Sequence, residues 1–155
     1  MKTNEKTIYL AYGSNLNKEQ MAYRCPNAEF LGTATLKGYE LLFRGGRKSA
    51  VATIEPKKNG RVPVGLWSIT PRCEKALDIY EGFPHLYRKE TVTVELNGDP
   101  IEAMVYIMND GRPLNEPSPY YYTVIRKGYI DCGLNLQPLN TAVKRNSEKM
   151  IASNY

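Results

Sequence analysis

One histidine, one tryptophan and three phenylalanines stand in a chain of 155 residues. The single histidine, His85, excludes any site that needs two imidazoles, such as the paired-histidine helix of zinc proteases. The three cysteines, Cys25, Cys73 and Cys132, lie far apart, and no Cys-x-x-Cys occurs, so a structural zinc site of the Cys and His type is not expected. An odd number of cysteines, behind a polar Met1 to Lys6 too short to be a targeting segment, predicts free thiols in a reducing cytoplasm. No run of 18 apolar residues is present, so no membrane span is expected.

What remains is ordinary for a soluble domain: 42% hydrophobic and 24% charged residues. The length suits one domain with a core of its own, expected over residues 1–155 with its ordered part at about 7–145. Lys plus Arg exceed Asp plus Glu by 21 to 16, giving a formal charge of +5. Such a charge is a common solubility device. No RNA-binding aromatic motif, helix-turn-helix pattern or basic helix accompanies it, so no nucleic-acid partner is expected.

Period-two patterns and turn residues predict seven strands: Thr7 to Tyr12, Glu29 to Leu36, Tyr39 to Phe43, Ser49 to Ile54, Val62 to Ile69, Tyr87 to Leu96 and Ile101 to Met108. Arg44 to Lys48 and Lys57-Lys58 sit among glycine, proline and asparagine and read as hairpin turns. Pro63 places the start of its strand at an edge or a bulge. Asn97-Gly98 marks a tight hairpin. Helices are expected from Asn17 to about Arg24, from Thr70-Pro71 to Glu81 with Gly82 as the stop, and from Ser118-Pro119 to Gly133. A short C-terminal helix follows Pro138, with Ser147 to Tyr155 frayed. Hairpins outnumber βαβ units, which gives an α+β fold with a largely antiparallel sheet, open or closed into a barrel.

Three features carry chemistry. The turn Tyr12-Gly13-Ser14-Asn15-Leu16 joins a buried strand to a helix and exposes backbone N–H groups suited to an anion or an oxyanion; it is also what a plain strand–helix turn would use. It matches neither a Walker A loop nor GxGxxG. Glu81 ends a helix, where the negative end of the helix dipole disfavours a carboxylate and raises its pKa toward the range of a general base. A solvated glutamate paying a small penalty would look the same. Tyrosine is abundant, with 12 residues, and Tyr120-Tyr121-Tyr122 cannot all face one core. A Ser14–His85–Glu81 triad lacks the GxSxG elbow. Asp78 and Glu81 share a helix face rather than flanking a bond. Cys73 sits in a first helical turn without a positioned histidine.

Taken together, four segments in order resemble the gamma-glutamylcyclotransferase family, in its branch acting on gamma-glutamyl amino acids. They are Ala11-Tyr12-Gly13-Ser14-Asn15-Leu16; Ala52-Thr53-Ile54 with Val64-Gly65-Leu66-Trp67; Leu77 to Gly82 with Tyr87; and Pro117-Ser118-Pro119-Tyr120-Tyr121 with Gly128 and Gly133. The resemblance implies a small mixed, largely antiparallel β-barrel with short helices packed around it. It implies that Glu81 is the catalytic acid/base and that Tyr12, Gly13, Ser14, Asn15, Leu16, Tyr87 and Tyr121 bind substrate. The implied reaction releases 5-oxoproline from a gamma-glutamyl conjugate without cofactor or metal, in a cytoplasmic monomer or homodimer. The alternatives are cyclotransfer on a specialised gamma-glutamyl amine or biosynthetic intermediate, and a non-catalytic ligand-binding relative.

Overall fold

The protein was analysed as a computed structural model that describes residues 6–153. Five strands and four α-helices follow one another: β1 (Thr7–Ala11), a 3-10 turn (Ser14–Leu16), α1 (Lys18–Arg24), β2 (Glu29–Arg44), β3 (Val51–Ile69), α2 (Pro71–Glu81), β4 (Tyr87–Leu96), β5 (Asp99–Met108), α3 (Pro119–Asp131) and α4 (Gln137–Ser153). They form one α+β sheet of order β2-β3-β1-β5-β4. All pairings are antiparallel except β1 with β5. The two outer strands, β2 and β4, share no ladder among the described residues, so the barrel is a curled sheet without hydrogen-bonded closure. Its ends do approach: a Cβ added at Gly32 of β2 would lie 3.2 Å from Leu96 of β4.

Five strands replace the seven expected because two pairs are continuous. Gly38 interrupts nothing; it sits in β2 at a register shift, where Lys37 pairs Arg61 but Tyr39 pairs Pro56. Lys57 to Gly60 are the matching bulge of β3, not a hairpin turn. The real β2–β3 hairpin is at Gly45 to Ala50. Pro63 lies in β3 opposite Thr35, beyond the stretch Gly65 to Ile69 that pairs with β1. The side of β3 toward β1 is therefore unpaired at Pro63, where a residue without an N–H is tolerated. Asn97 and Gly98 both have positive φ, 54° and 86°, as the tight β4–β5 turn demands.

The helix caps are those the sequence announces. Asn17 accepts from Gln20 N–H, Thr70 from Cys73 N–H and Ser118 from Tyr121 N–H. Helix α4 is longer than expected and runs to Ser153. Buried Asn146 holds it down, accepting from Phe43 N–H at 2.9 Å and donating to Asn115 C=O at 3.0 Å. Arg145 and Lys149 add ion pairs to Glu40 of β2.

Cys25 and Cys73 are paired in a disulfide, with Cα atoms 5.1 Å apart. The expectation of three free thiols is corrected; only Cys132 is free among the described residues, and the thiol argument for a reducing cytoplasm falls with it. Residues 48 apart meet because α1 ends against the first turn of α2. No helix among the described residues is long and apolar enough to cross a membrane.

Candidate active site

The end of β1, the 3-10 turn, β3 at Ala52, the last turn of α2 and the start of β4 surround a small cavity of about 20 Å³, room for roughly one water. Glu81, Tyr12, Gly13, Ser14, Asn15 and Tyr87 line it, together with Tyr9, Ala52 and Tyr106. A larger depression of about 440 Å³ lies near Thr35 and Pro100. The buried phenols and the half-buried Glu81 carboxyl converge on the small cavity, which makes it the candidate site.

Glu81 closes α2, and Gly82 behind it takes the left-handed conformation, φ 64°, that lets the chain turn away. The Glu81 carboxyl makes no hydrogen bond or ion pair among the described residues. Burial pushes its pKa up to about 7, and the Arg24 charge pulls the other way. The direction is the one expected from the sequence, but its cause is burial rather than the helix end.

The turn is held from every side. Asn15 Nδ2 donates to Tyr9 Oη at 2.9 Å, and Arg24 Nη1 donates to Asn15 Oδ1 at 2.7 Å. Trp67 Nε1 donates to the Asn15 carbonyl at 3.2 Å. Ser14 Oγ and Tyr80 Oη are hydrogen-bonded at 3.0 Å. Gly13 packs closely: an added Cβ would sit 3.3 Å from Ala52 Cβ and 3.6 Å from Tyr121 Oη. Gly128 of α3 approaches closer still, since its Cβ would meet the Asn17 N atom at 2.6 Å and the Leu16 carbonyl carbon at 2.7 Å. The Leu16 and Asn17 N–H groups are spent inside the turn, on Gly13 C=O and Ser14 C=O. The N–H groups of Gly13, Ser14 and Asn15 have no acceptor among the described residues, so these three are the donors left for a ligand. Leu16 itself is fully buried and anchors the turn in the core.

The tyrosines divide by partner. Tyr12 donates to the Tyr106 carbonyl at 2.7 Å, and Tyr87 donates to the Ala52 carbonyl at 2.6 Å. Tyr121 accepts from Ala52 N–H at 3.0 Å and stands behind Gly13 rather than on the cavity wall. Burial raises the pKa of Tyr9, Tyr12, Tyr87 and Tyr121, which keeps these phenols neutral. Tyr120 is exposed and Tyr122 reaches Asn140 of α4, so only the middle tyrosine of the three approaches the site.

Other candidates fall away from the cavity. Asp78 accepts from Tyr106 Oη at 2.6 Å and pairs with Lys89, which also binds Glu74. His85 is exposed in the loop after α2, and its carbonyl accepts from Asn109. Sequence reasoning missed Tyr9, Arg24 and Tyr80. Tyr9 could have been found from its place on β1, three residues before Tyr12; Arg24 and Tyr80 reach the site through contacts of long range that no local pattern announces. No cluster of three or more His, Cys, Asp or Glu able to hold a metal occurs among the described residues.

A family model described as "Gamma-glutamyl cyclotransferase, AIG2-like" matches residues 9–125. A gamma-glutamylcyclotransferase from Bos taurus is 33% identical over 142 residues, covering 86% of this chain and 75% of that protein. The Homo sapiens gamma-glutamylcyclotransferase is 31% identical over the same shares. A solved structure of a gamma-glutamyl cyclotransferase superposes with a TM-score of 0.81 at 28% identity, covering 89% of this chain and 86% of that one. YkqA from Bacillus subtilis, 21% identical over 96% of this chain and 55% of that one, shares the fold with a TM-score of 0.75.

Proposed function

This chain belongs to the gamma-glutamyl cyclotransferase, AIG2-like family, and we propose that it releases 5-oxoproline and a free amine or amino acid from a gamma-glutamyl conjugate, with Glu81 as general acid/base. One observation carries the reading: an unpaired, half-buried carboxyl whose pKa is pushed up to about 7 shares a cavity with three unused backbone N–H donors.

The substrate brings its own nucleophile. Its α-amine attacks the δ-carbonyl carbon, a C–N bond forms, and a five-membered ring closes through a tetrahedral intermediate. Intramolecular attack has a high effective molarity, so neither an enzyme nucleophile nor a cofactor is required. An unperturbed α-amine titrates near ~7.7–8.0, and a carboxylate of raised pKa can take its proton. The N–H groups of Gly13, Ser14 and Asn15 serve the oxyanion. The protonated Glu81 then returns the proton to the leaving nitrogen as the old C–N bond breaks.

Tyr12 and Tyr87 form apolar walls with their hydroxyls turned to backbone carbonyls, and Tyr121 supports Gly13 from behind. A gamma-glutamyl group exceeds the cavity of about 20 Å³, so the cavity must widen to admit substrate. A groove of about 480 Å³ lined by Arg24 and Tyr80 lies on the side of α1 and α2. The whole of residues 1–155 is read as one domain acting on a small molecule, without a nucleic-acid partner. Mass-spectrometric detection of 5-oxoproline from a mixed gamma-glutamyl library tests the activity and identifies the leaving group. No 5-oxoproline from any member would contradict it and favour the non-catalytic relative.

A further inference from the structure

We propose that Arg24 is a positioning residue of this site: it fixes the Asn15 side chain and the Tyr80 ring, and so holds its positive charge against the last turn of α2, which Glu81 ends. The inference rests on Glu81 being the acid/base of the proposed reaction, and its test is built so that the two can fail separately.

The geometry is that of a residue held in place, not of a solvated cation. Arg24 ends α1, and its guanidinium spans two acceptors at once, with Nη1 on Asn15 Oδ1 and Nη2 on Gln20 Oε1, both at 2.7 Å. Its plane lies over the Tyr80 ring, 3.5 Å from the centroid. A forked, planar, stacking cation does all three things; a lysine ammonium cannot. No carboxylate lies within ion-pair distance of Arg24 among the described residues, so its charge is not consumed by a partner. Two of the three contacts, those to Asn15 and Tyr80, lead to the site. Asn15 is the third residue of the donor turn, and its Nδ2 donates to Tyr9 Oη. Tyr80 directly precedes Glu81 and bonds Ser14. Arg24 thus ties the last turn of α2 to the turn that would hold the oxyanion.

The charges around Glu81 make the electrostatic part specific. From β1 and the residue after it Glu81 meets Tyr9 and Tyr12, from β4 Tyr87 and from α3 Tyr121. The phenols of Tyr9, Tyr12, Tyr87 and Tyr121 are kept neutral by burial. From β5, Tyr106 turns its hydroxyl to Asp78, which Lys89 neutralises. Among the described residues, Arg24 is the charged group acting on Glu81, and it favours the carboxylate that burial disfavours. A base left to burial alone would hold its proton too tightly at neutral pH. One cation held beside the last turn of α2 keeps it able both to take a proton and to give it back.

The test is a carbon-13 NMR titration of the Glu81 carboxyl in the substrate-free protein, assigned by its loss in Glu81→Gln, beside the pH profile of kcat/KM. In Arg24→Met and Arg24→Gln the Glu81 midpoint should rise by about 1 unit, the low end of the effect of a nearby opposite charge. Arg24→Lys should restore the midpoint. All three variants should lose kcat/KM, by as much as about 100-fold, because the Asn15 and Tyr80 contacts are gone. The split between a restored midpoint and an unrestored rate separates charge from placement. An unchanged midpoint in the two neutral variants, both folded by circular dichroism, would overturn the inference even in an active enzyme. Moved midpoints in these variants, with no 5-oxoproline released by the wild-type protein, would leave the inference standing and sink the proposed reaction instead.

Discussion

The hydroxyl of Tyr87 donates to the carbonyl of Ala52 at 2.6 Å, so the donor of this buried tyrosine is already spent on the backbone of β3. The Ala52 N–H donates to Tyr121 Oη. Ala52 is therefore the point at which two tyrosines of the site are fixed to the sheet. In Tyr87→Phe the Ala52 carbonyl loses its donor in a buried place, which costs about 1–3 kcal/mol. For a chain of this size that lowers Tm by roughly 2–4 °C per kcal/mol. Thermal unfolding should show the loss, while KM for a gamma-glutamyl substrate changes little. A large rise in KM with an unchanged Tm would mean that Tyr87 binds substrate through its hydroxyl.

The pKa of Glu81 predicts opposite trends for activity and stability. The base must be ionised to accept the amine proton, so kcat/KM should rise with pH through a midpoint near 7. The folded value is raised above the ordinary 4.5, so folding favours the protonated form. The associated stability is present at low pH and is lost as pH rises from about 4.5 to about 7. Glu81→Gln carries no such loss. Its Tm, compared with that of the wild type, should gain progressively across this window and level off above it. A gap independent of pH would contradict the burial of an unpaired carboxyl.

Gly128 tests whether α3 holds the donor turn. A methyl group there would meet backbone atoms of Leu16 and Asn17 at 2.6–2.7 Å, and backbone cannot rotate away. Gly128→Ala should destabilise the protein by about 1–3 kcal/mol, as overpacking of a filled interior does. It should also displace the N–H groups of residues 13–15 and lower kcat. A variant with wild-type Tm and kcat would show that α3 yields freely.

The cysteine pairing is open to direct chemistry. Alkylation of the denatured, unreduced protein should label Cys132 alone, and reduction should release Cys25 and Cys73 for two further labels. Burial raises the Cys132 thiol to about 11, so in the native protein even this residue should label slowly. Three labels without reductant would restore the thiol reading of the sequence.

The local chemistry of the chain was legible before its tertiary contacts. Thr70-Pro71, Ser118-Pro119 and Asn17 start helices because their side chains satisfy N–H groups within three residues. Asn97-Gly98 turns because both residues accept positive φ. Glu81 stood out because a helix end is a poor place for a carboxylate. What was not legible depends on partners distant in sequence. Lys57 to Gly60 have the composition of a turn and are a bulge, since the β2 partner runs straight past them. Cys25 and Cys73 meet only once α1 is laid against α2. Asn146 pins the end of α4 through the backbone of Phe43, which no pattern within the helix reveals. Arg24 is an ordinary basic residue of a last helical turn until Tyr80 and Asn15 are brought beneath it.

The central claim is that the Glu81 carboxyl moves the protons of a ring closure. Its most direct test is 5-oxoproline release by wild-type protein and by folded Glu81→Gln, measured by mass spectrometry on the same gamma-glutamyl substrate. The account predicts rapid release by the wild type and none above background from the variant, with substrate still bound. Turnover by Glu81→Gln at the wild-type rate would contradict it.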